Sequence, residues 1–240
     1  MNSESVWLVT GGTRGIGAGV VEKALAEGHR VAVLARNLPS KLYDTDAYRQ
    51  LQADVADAHA VEAAVTELIA TWGRLDVVVN NAGLHRGGKV NRLPEDDWQA
   101  VLNTNLTGPL NVIRACEPHL QAGSAIINIG AVVGFRGFPG DVAYASSKAG
   151  LSGMTRALAI EFAKKQVTVN LVIPGLVLTE MTSGLSDKAL DSMRAMIPMA
   201  RFGEPSEIAH AVYSVAGARY MTGAFIPVDG GLMSTFGNMG

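Results

Sequence analysis

Cysteine is almost missing from this chain. Cys116 is the only one in 240 residues, which excludes an intramolecular disulfide and a metal cage built from thiolates. Its expected place is that of a small apolar side chain buried on a helix. Blocks of basic charge are missing too. Lys and Arg number 20 against 22 Asp and Glu, the formal net charge is -2, and the positive residues are scattered, so no nucleic-acid partner is expected. No stretch reaches the roughly 18 uninterrupted apolar residues that a membrane span takes; even Val167 to Leu178 is broken by Asn170 and Pro174. Met1 to Ser5 carries no basic segment, and the apolar run behind it is too short for a signal peptide. The expectation is a soluble, cytoplasmic protein with no membrane partner.

What remains is apolar material and glycine. Hydrophobic residues make up 48% of the chain and glycines number 27, enough for one large α/β core with many tight strand-to-helix turns. Residues 1–240 are therefore expected to form a single domain.

Val6 to Thr10 is a short apolar run, and Arg14 to Gly28 carries helical periodicity. Between them lies Thr10-Gly11-Gly12-Thr13-Arg14-Gly15-Ile16-Gly17. A strand, a glycine turn and a helix N-terminus in this order present free backbone N–H groups to a phosphate, so the segment is a candidate dinucleotide site. A second strand, Val31 to Ala35, runs into Arg36-Asn37. An Asp or Glu at that place would suit a ribose 2′-hydroxyl, whereas Arg36 and Arg14 can fork onto a 2′-phosphate, which favours NADP(H); as solvated surface charges they would say nothing. Leu51 to Val55 reads as the third strand, ending at Asp54-Val55, where the carboxylate either meets an adenine or, as Asp54 or Asp57, caps the helix Ala58 to Trp72. Val77 to Val79 forms a fourth strand and leads into Asn80-Asn81-Ala82-Gly83, small and amide residues that let the backbone approach a flat ligand.

A helix from about Pro94 to Pro118 holds Asn103-Thr104-Asn105 in its interior, either a hydrogen-bonding device or ordinary polar packing. Ser124 to Ile129 is a fifth strand, Gly130 to Gly140 a glycine-rich loop, and Ala143 to Lys165 a long helix. Near its start stand Tyr144 and Lys148, four apart and so on one helix face. A phenol with an ordinary pKa of about 10 becomes a usable acid or base when a fixed cation lowers that value, which is the chemistry this spacing suggests. By itself the pair also suits an exposed helix face. Val167 to Ile173 ends at Pro174-Gly175, and Ala224 to Val228 forms the last strand before Asp229-Gly230-Gly231. Alternation of strands and helices predicts a Rossmann-like doubly wound parallel sheet of about seven strands. Residues 178–201, with Met181, Met193, Met196 and Met199, break that rhythm and read either as a substrate lid or as gap-filling core.

These segments resemble the short-chain dehydrogenase/reductase family along nearly the whole chain, and within it the 3-oxoacyl and acetoacetyl thioester reductases. The features that carry the likeness are the glycine cluster, Asp54, Asn80 to Gly83, Asn105, Tyr144 with Lys148, Pro174-Gly175 with Thr179, and Val228 to Gly231. The resemblance implies hydride transfer from NADPH to a ketone or acyl thioester, with Tyr144 giving the proton. Lys148 would bind the nicotinamide ribose and lower the phenol's pKa, and Asn105 would hold a relay water. Gly11 to Gly17 would hold the pyrophosphate, and Pro174 to Val177 with Thr179 the nicotinamide. It implies a homotetramer, and an acyl carrier protein as one route for the substrate. One position departs. Thirteen residues before the tyrosine the family has a serine whose hydroxyl holds the substrate oxygen, and here stands Ala131. Three accounts remain open: a Ser-to-Ala substitution made to hold substrate without turnover, a natural enzyme that is slow or uses a water, and a nucleotide-binding regulator without catalysis. The basic residue expected before the fifth strand is replaced by Gln121-Ala122-Gly123, leaving Lys164 and Lys165 at the end of the next helix. His85-Arg86 either contacts an anionic group of the substrate or belongs to a solvated loop; His85 shows no metal-ligand spacing.

Overall fold

Strands whose side chains are apolar on both faces need cover on both faces, and the Val- and Ile-rich runs of this chain obtain it. In a computed structural model, which describes residues 4–39, 43, 45–178 and 186–235, every residue of β1 (Val6–Thr10), β4 (Val77–Asn80), β5 (Ala125–Ile129) and β6 (Thr168–Pro174) is buried. With β2 (Arg30–Ala35), β3 (Tyr48–Gln52) and β7 (Phe225–Val228) they form one seven-stranded parallel sheet in the order β3-β2-β1-β4-β5-β6-β7. This is the doubly wound sheet that the alternating pattern predicts.

One face is covered by α1 (Gly15–Ala26) and α8 (Pro205–Gly217), through Val20, Val21, Ile208 and Val212 against Trp7, Val9 and Val33. The other carries α2 (Ala58–Trp72), α4 (Gly108–Cys116) and α6 (Val142–Phe162), which bury Val65, Leu68, Ile113 and Phe162 against Leu8, Leu34 and Ile126. Cys116 is fully buried there, and burial pushes its thiol pKa far up, so it is the small apolar side chain expected. Sharp local signals set the ends of α2. Asp57 Oδ1 accepts from His59 N and Ala60 N, and Gly73 closes the helix at φ +71°.

Two expectations shift. The third strand begins at Tyr48 rather than Leu51, because the fully buried Tyr48 pairs with Val31 while Ala53 to Val55 leave the sheet. Val55 instead lies under Gly108, where an added Cβ would stand 2.6 Å from its Cγ2. The long helix predicted at Pro94 to Pro118 is broken into α3 (Glu95–Leu102), a π-turn at Asn103–Thr107, and α4. Residues 130–140, predicted as loop, contain the one-turn α5 (Val133–Arg136), and 178–201 contain α7 (Asp187–Ala195).

The chain winds outward from β1 in one direction and from β4 in the other. The crevice at the carboxyl ends of those two strands is the switch point where open α/β sheets take ligands. Among the described residues no helix is long and apolar enough to cross a membrane.

Candidate active site

Above the switch point opens a cavity of about 1430 Å³, lined by the glycine turn, the ends of β2 and β4, residues 129–133 and 136–138, the start of α6 and residues 174–177. Thr10 holds its floor together. The Thr10 hydroxyl accepts from Asn81 N and Ala82 N, both at 3.0 Å, while Asn81 Nδ2 donates to the carbonyls of Thr10 and Gly11, again at 3.0 Å. Gly11 bends at φ +64°, and an added Cβ on Gly17 would lie 2.3 Å from Gly11 O. That turn therefore tolerates no side chain at Gly17, and α1 starts at the cavity, with Gly15 and Ile16 in its lining and no side-chain cap at Arg14. Gly12 serves the core instead. An added Cβ there would strike Val33 and Val21, so this glycine packs the turn onto the sheet and does not line the cavity.

At the far end Arg36, Asn37, Asp54 and Val55 border the same space. Arg36 Nη1 stands 3.8 Å from Asp54 Oδ2, Gln52 Nε2 donates to Arg36 O, and Asn111 Nδ2 donates to Val55 O. Asp54 itself accepts from Ala56 N, so the capping role belongs to Asp57 alone. Gln52 and Asn111 were not singled out by sequence reasoning; an Asn buried in mid-helix, the cue that marked Asn105, applies equally to Asn111. Cavity size, the side-chain-free turn and the row of main-chain donors fit a dinucleotide with room for a second molecule.

Tyr144, Lys148 and Ala131 meet in the inner part of the cavity, with Gly83, Pro174, Gly175 and Val177 around them. Lys148 is 4% exposed; its Nζ donates to Ile129 O at 2.8 Å and lies 5.7 Å from the centre of the Tyr144 ring. The two side chains share one face and one cavity, as their spacing predicts. The expected lowering of the phenol's pKa is not found. Burial, with Asp141 adding repulsion, pushes Tyr144 up to about 12, and burial brings the Lys148 amine down to about 8. In a dry pocket the cost of charging the phenol outweighs the amine's attraction, so Tyr144 stays a neutral donor across the physiological range.

Asn105 is 1% exposed in the π-turn. Its Oδ1 accepts from Leu84 N at 2.7 Å, and its Nδ2 donates to Leu84 O and Ser147 Oγ. This side chain ties the segment after β4 to α6. Gly175 is wedged against β7, where an added Cβ would lie 2.6 Å from Asp229 Cα, and Val177 forms a bridge with Gly203. Thr179 and Met181 lie outside the described residues. Met193 and Met196 line the cavity and α7 buries no residue, so these methionines belong to the ligand space rather than to the core. Lys164 and Lys165 follow α6, whose 21 residues span about 31 Å from the cavity to the opposite rim. They do not border the entrance of their own chain's cavity, and Lys165 is paired with Glu117. His85 pairs with Asp141 and Arg86 with Asp97, so both predicted anion contacts already face carboxylates.

The family model described as Enoyl-(Acyl carrier protein) reductase matches residues 11–233. A 3-oxoacyl-[acyl-carrier-protein] reductase FabG of Staphylococcus aureus (strain N315) is 40% identical over 240 residues, covering 94% of this chain and 96% of the relative. Among solved structures, a blue fluorescent protein from a metagenomic library in complex with NADPH superposes with a TM-score of 0.88 at 35% identity, covering 95% of this chain and 97% of the other. A mutant Serratia marcescens short-chain dehydrogenase/reductase superposes with a TM-score of 0.86 at 33% identity, covering 95% and 98%. Sheet order, cavity and sequence likeness run together over almost the whole chain, which belongs to the short-chain dehydrogenase/reductase family.

Proposed function

We infer that this protein is an NADPH-dependent reductase that converts a ketone, a 3-oxoacyl thioester or a similar carbonyl, into a secondary alcohol. The observation that carries the reading is a neutral, buried phenol beside a buried amine in a cavity at the switch point of the sheet. When bound, NADPH supplies the hydride.

The chain's own residues do the rest. Main-chain groups of Gly11, Thr13, Gly15 and Ile16 hold the pyrophosphate, with Gly12 and Gly17 giving the turn its shape. Arg14 and Arg36 would take the 2′-phosphate, Asn37, Asp54 and Val55 the adenine, and Asn81, Ala82, Gly83, Pro174, Gly175, Val177 and Thr179 the nicotinamide half. Lys148 binds ribose hydroxyls. Tyr144 gives its phenolic proton to the carbonyl oxygen: the O–H bond of the tyrosine breaks, that of the alcohol forms, and the Lys148 ammonium stabilises the phenolate left behind. Asn105 acts by holding Leu84 and Ser147 in place. An acyl chain carried by coenzyme A or an acyl carrier protein passes under Met193 and Met196. Residues 1–240 act as one domain within a homotetramer.

Ala131 weakens this machinery, because one donor aimed at a developing oxyanion is worth about 10²- to 10³-fold in rate. It also favours a second reading, a nucleotide-binding regulator without turnover. NADPH oxidation with a panel of ketones and 3-oxoacyl thioesters, for the native chain and Ala131→Ser, separates the two. Turnover by Ala131→Ser is expected, with a gain of at most about 10²- to 10³-fold. A variant that binds NADPH yet reduces nothing in the panel overturns the reductase reading in favour of the regulator.

A further inference from the structure

Where the family's serine is absent, a different pair of residues stands beside the tyrosine. His85 lines the same cavity as Ala131 and Tyr144, with its ring edge-on to the Tyr144 ring at 5.1 Å between centres. Its Nε2 is held 2.8 Å from Asp141 Oδ1. The two segments that carry the pair are clipped together: Gly88 N donates to Gly140 O at 2.7 Å. Gly87 permits the approach, since an added Cβ there would stand 3.2 Å from Gly140 O and 3.3 Å from Asp141 Oδ1. On the outer side Arg86 is anchored to Asp97 of α3 at 2.7 Å. Nδ1 of His85 has no hydrogen-bond partner among the described residues. With Nε2–H given to Asp141, the imidazolium form carries its second proton on Nδ1, the nitrogen left for a ligand.

We propose that His85, oriented by Asp141, is a catalytic residue that donates from Nδ1 to the substrate's carbonyl oxygen in place of the hydroxyl missing at Ala131. The donor stabilises the developing oxyanion while Tyr144 delivers the proton that is transferred. Asp141 is a positioning residue in this scheme. The inference rests on the ketone-reductase reading and deepens it.

The test is a cycle of four proteins, native, His85→Phe, Ala131→Ser and the double variant, each first checked for its melting temperature and for NADPH binding by fluorescence. His85→Phe keeps a flat ring against Tyr144 and removes both nitrogens; His85→Gln serves if the Phe variant does not fold. In the native background the His85 substitution is expected to lower kcat by about 10²-fold, the worth of one oxyanion donor. With Ala131→Ser present, the same substitution should cost no more than about five-fold, because neighbouring groups that do one job are not additive. Equal losses in both backgrounds, or no loss in the native one, overturn the proposal while leaving the reductase reading intact. If neither the native chain nor Ala131→Ser reduces any ketone although both bind NADPH, the reductase reading fails and the proposal with it.

Discussion

Lys148 is buried at a cost, and the cost has a measurable signature. Its amine is 4% exposed, touches Ile129 O at 2.8 Å, and is brought by burial from an ordinary 10.5 to about 8. Below pH 8 the amine is protonated in both the folded and the unfolded chain, and the folded state carries the full penalty. Between about 8 and 10.5 the unfolded chain holds a proton that the folded chain has released, so stability rises with pH across that window. The difference amounts to about 3 kcal/mol, at roughly 1.4 kcal/mol per pH unit. Lys148→Met removes the titration and also leaves the Ile129 carbonyl without its partner, a loss of about 1–3 kcal/mol. At pH 7 the two effects nearly offset each other, so the decisive quantity is the slope. Urea unfolding of both cofactor-free proteins, followed by circular dichroism between pH 7 and 10.5, should show native stability gaining about 3 kcal/mol relative to the variant. Tyrosines and other groups that titrate in both chains drop out of that difference. A difference that stays constant within about 0.5 kcal/mol would refute the claim that this amine sits uncompensated in a dry cavity.

Arg36 should set the choice between the two dinucleotides. It stands 3.8 Å from Asp54 with its side chain 55% exposed, a loose pair that a 2′-phosphate can displace. Arg36→Ala is therefore expected to reduce the preference for NADPH over NADH by about 10- to 100-fold, as read from the ratio of dissociation constants; an unchanged ratio refutes the assignment. For the assembly, Ile160 is 79% exposed on α6 and Tyr220 lies fully open just before β7, the kind of surface the expected tetramer contacts would cover. Light scattering at micromolar concentration should give four times the chain mass, and a monomer would refute the tetramer.

Where one short stretch of sequence decides a feature, that feature was legible. The glycine turn is recognisable because its strand, its glycines and its helix are contiguous, and Tyr144 with Lys148 because four residues on a helix fix a common face. Helix α2 has the predicted bounds because Asp57 and Gly73 punctuate it. Elsewhere the deciding contact comes from a distant segment. The third strand is displaced because Tyr48 meets Val31 in the ladder, while Val55, the better strand former, is taken by Gly108 and Asn111 of α4. His85 and Asp141 are 56 residues apart and meet only because β4 ends and α6 begins at the same rim. The position of Lys164 and Lys165 follows from topology alone, since a helix returning to the next parallel strand must end at the opposite edge of the sheet.

The inverted shift at Tyr144 goes deeper, because spacing shows that a cation is near a phenol but not how wet the two are. The nearby amine by itself argues for a lowered phenol pKa; burial of both groups in the same dry space, with Asp141 beside the phenol, argues against it, and the second effect wins. The consequence is directional. A neutral phenol is already the form needed to reduce a carbonyl, whereas alcohol oxidation needs the phenolate, which burial and Asp141 both disfavour. The amine, with its pKa near 8, retains most of its charge at neutral pH, and that charge matters most at the moment the tyrosine gives up its proton. A pair tuned in this way loses little by waiting uncharged at the phenol, because the favourable interaction is kept for the transition state rather than used in the ground state.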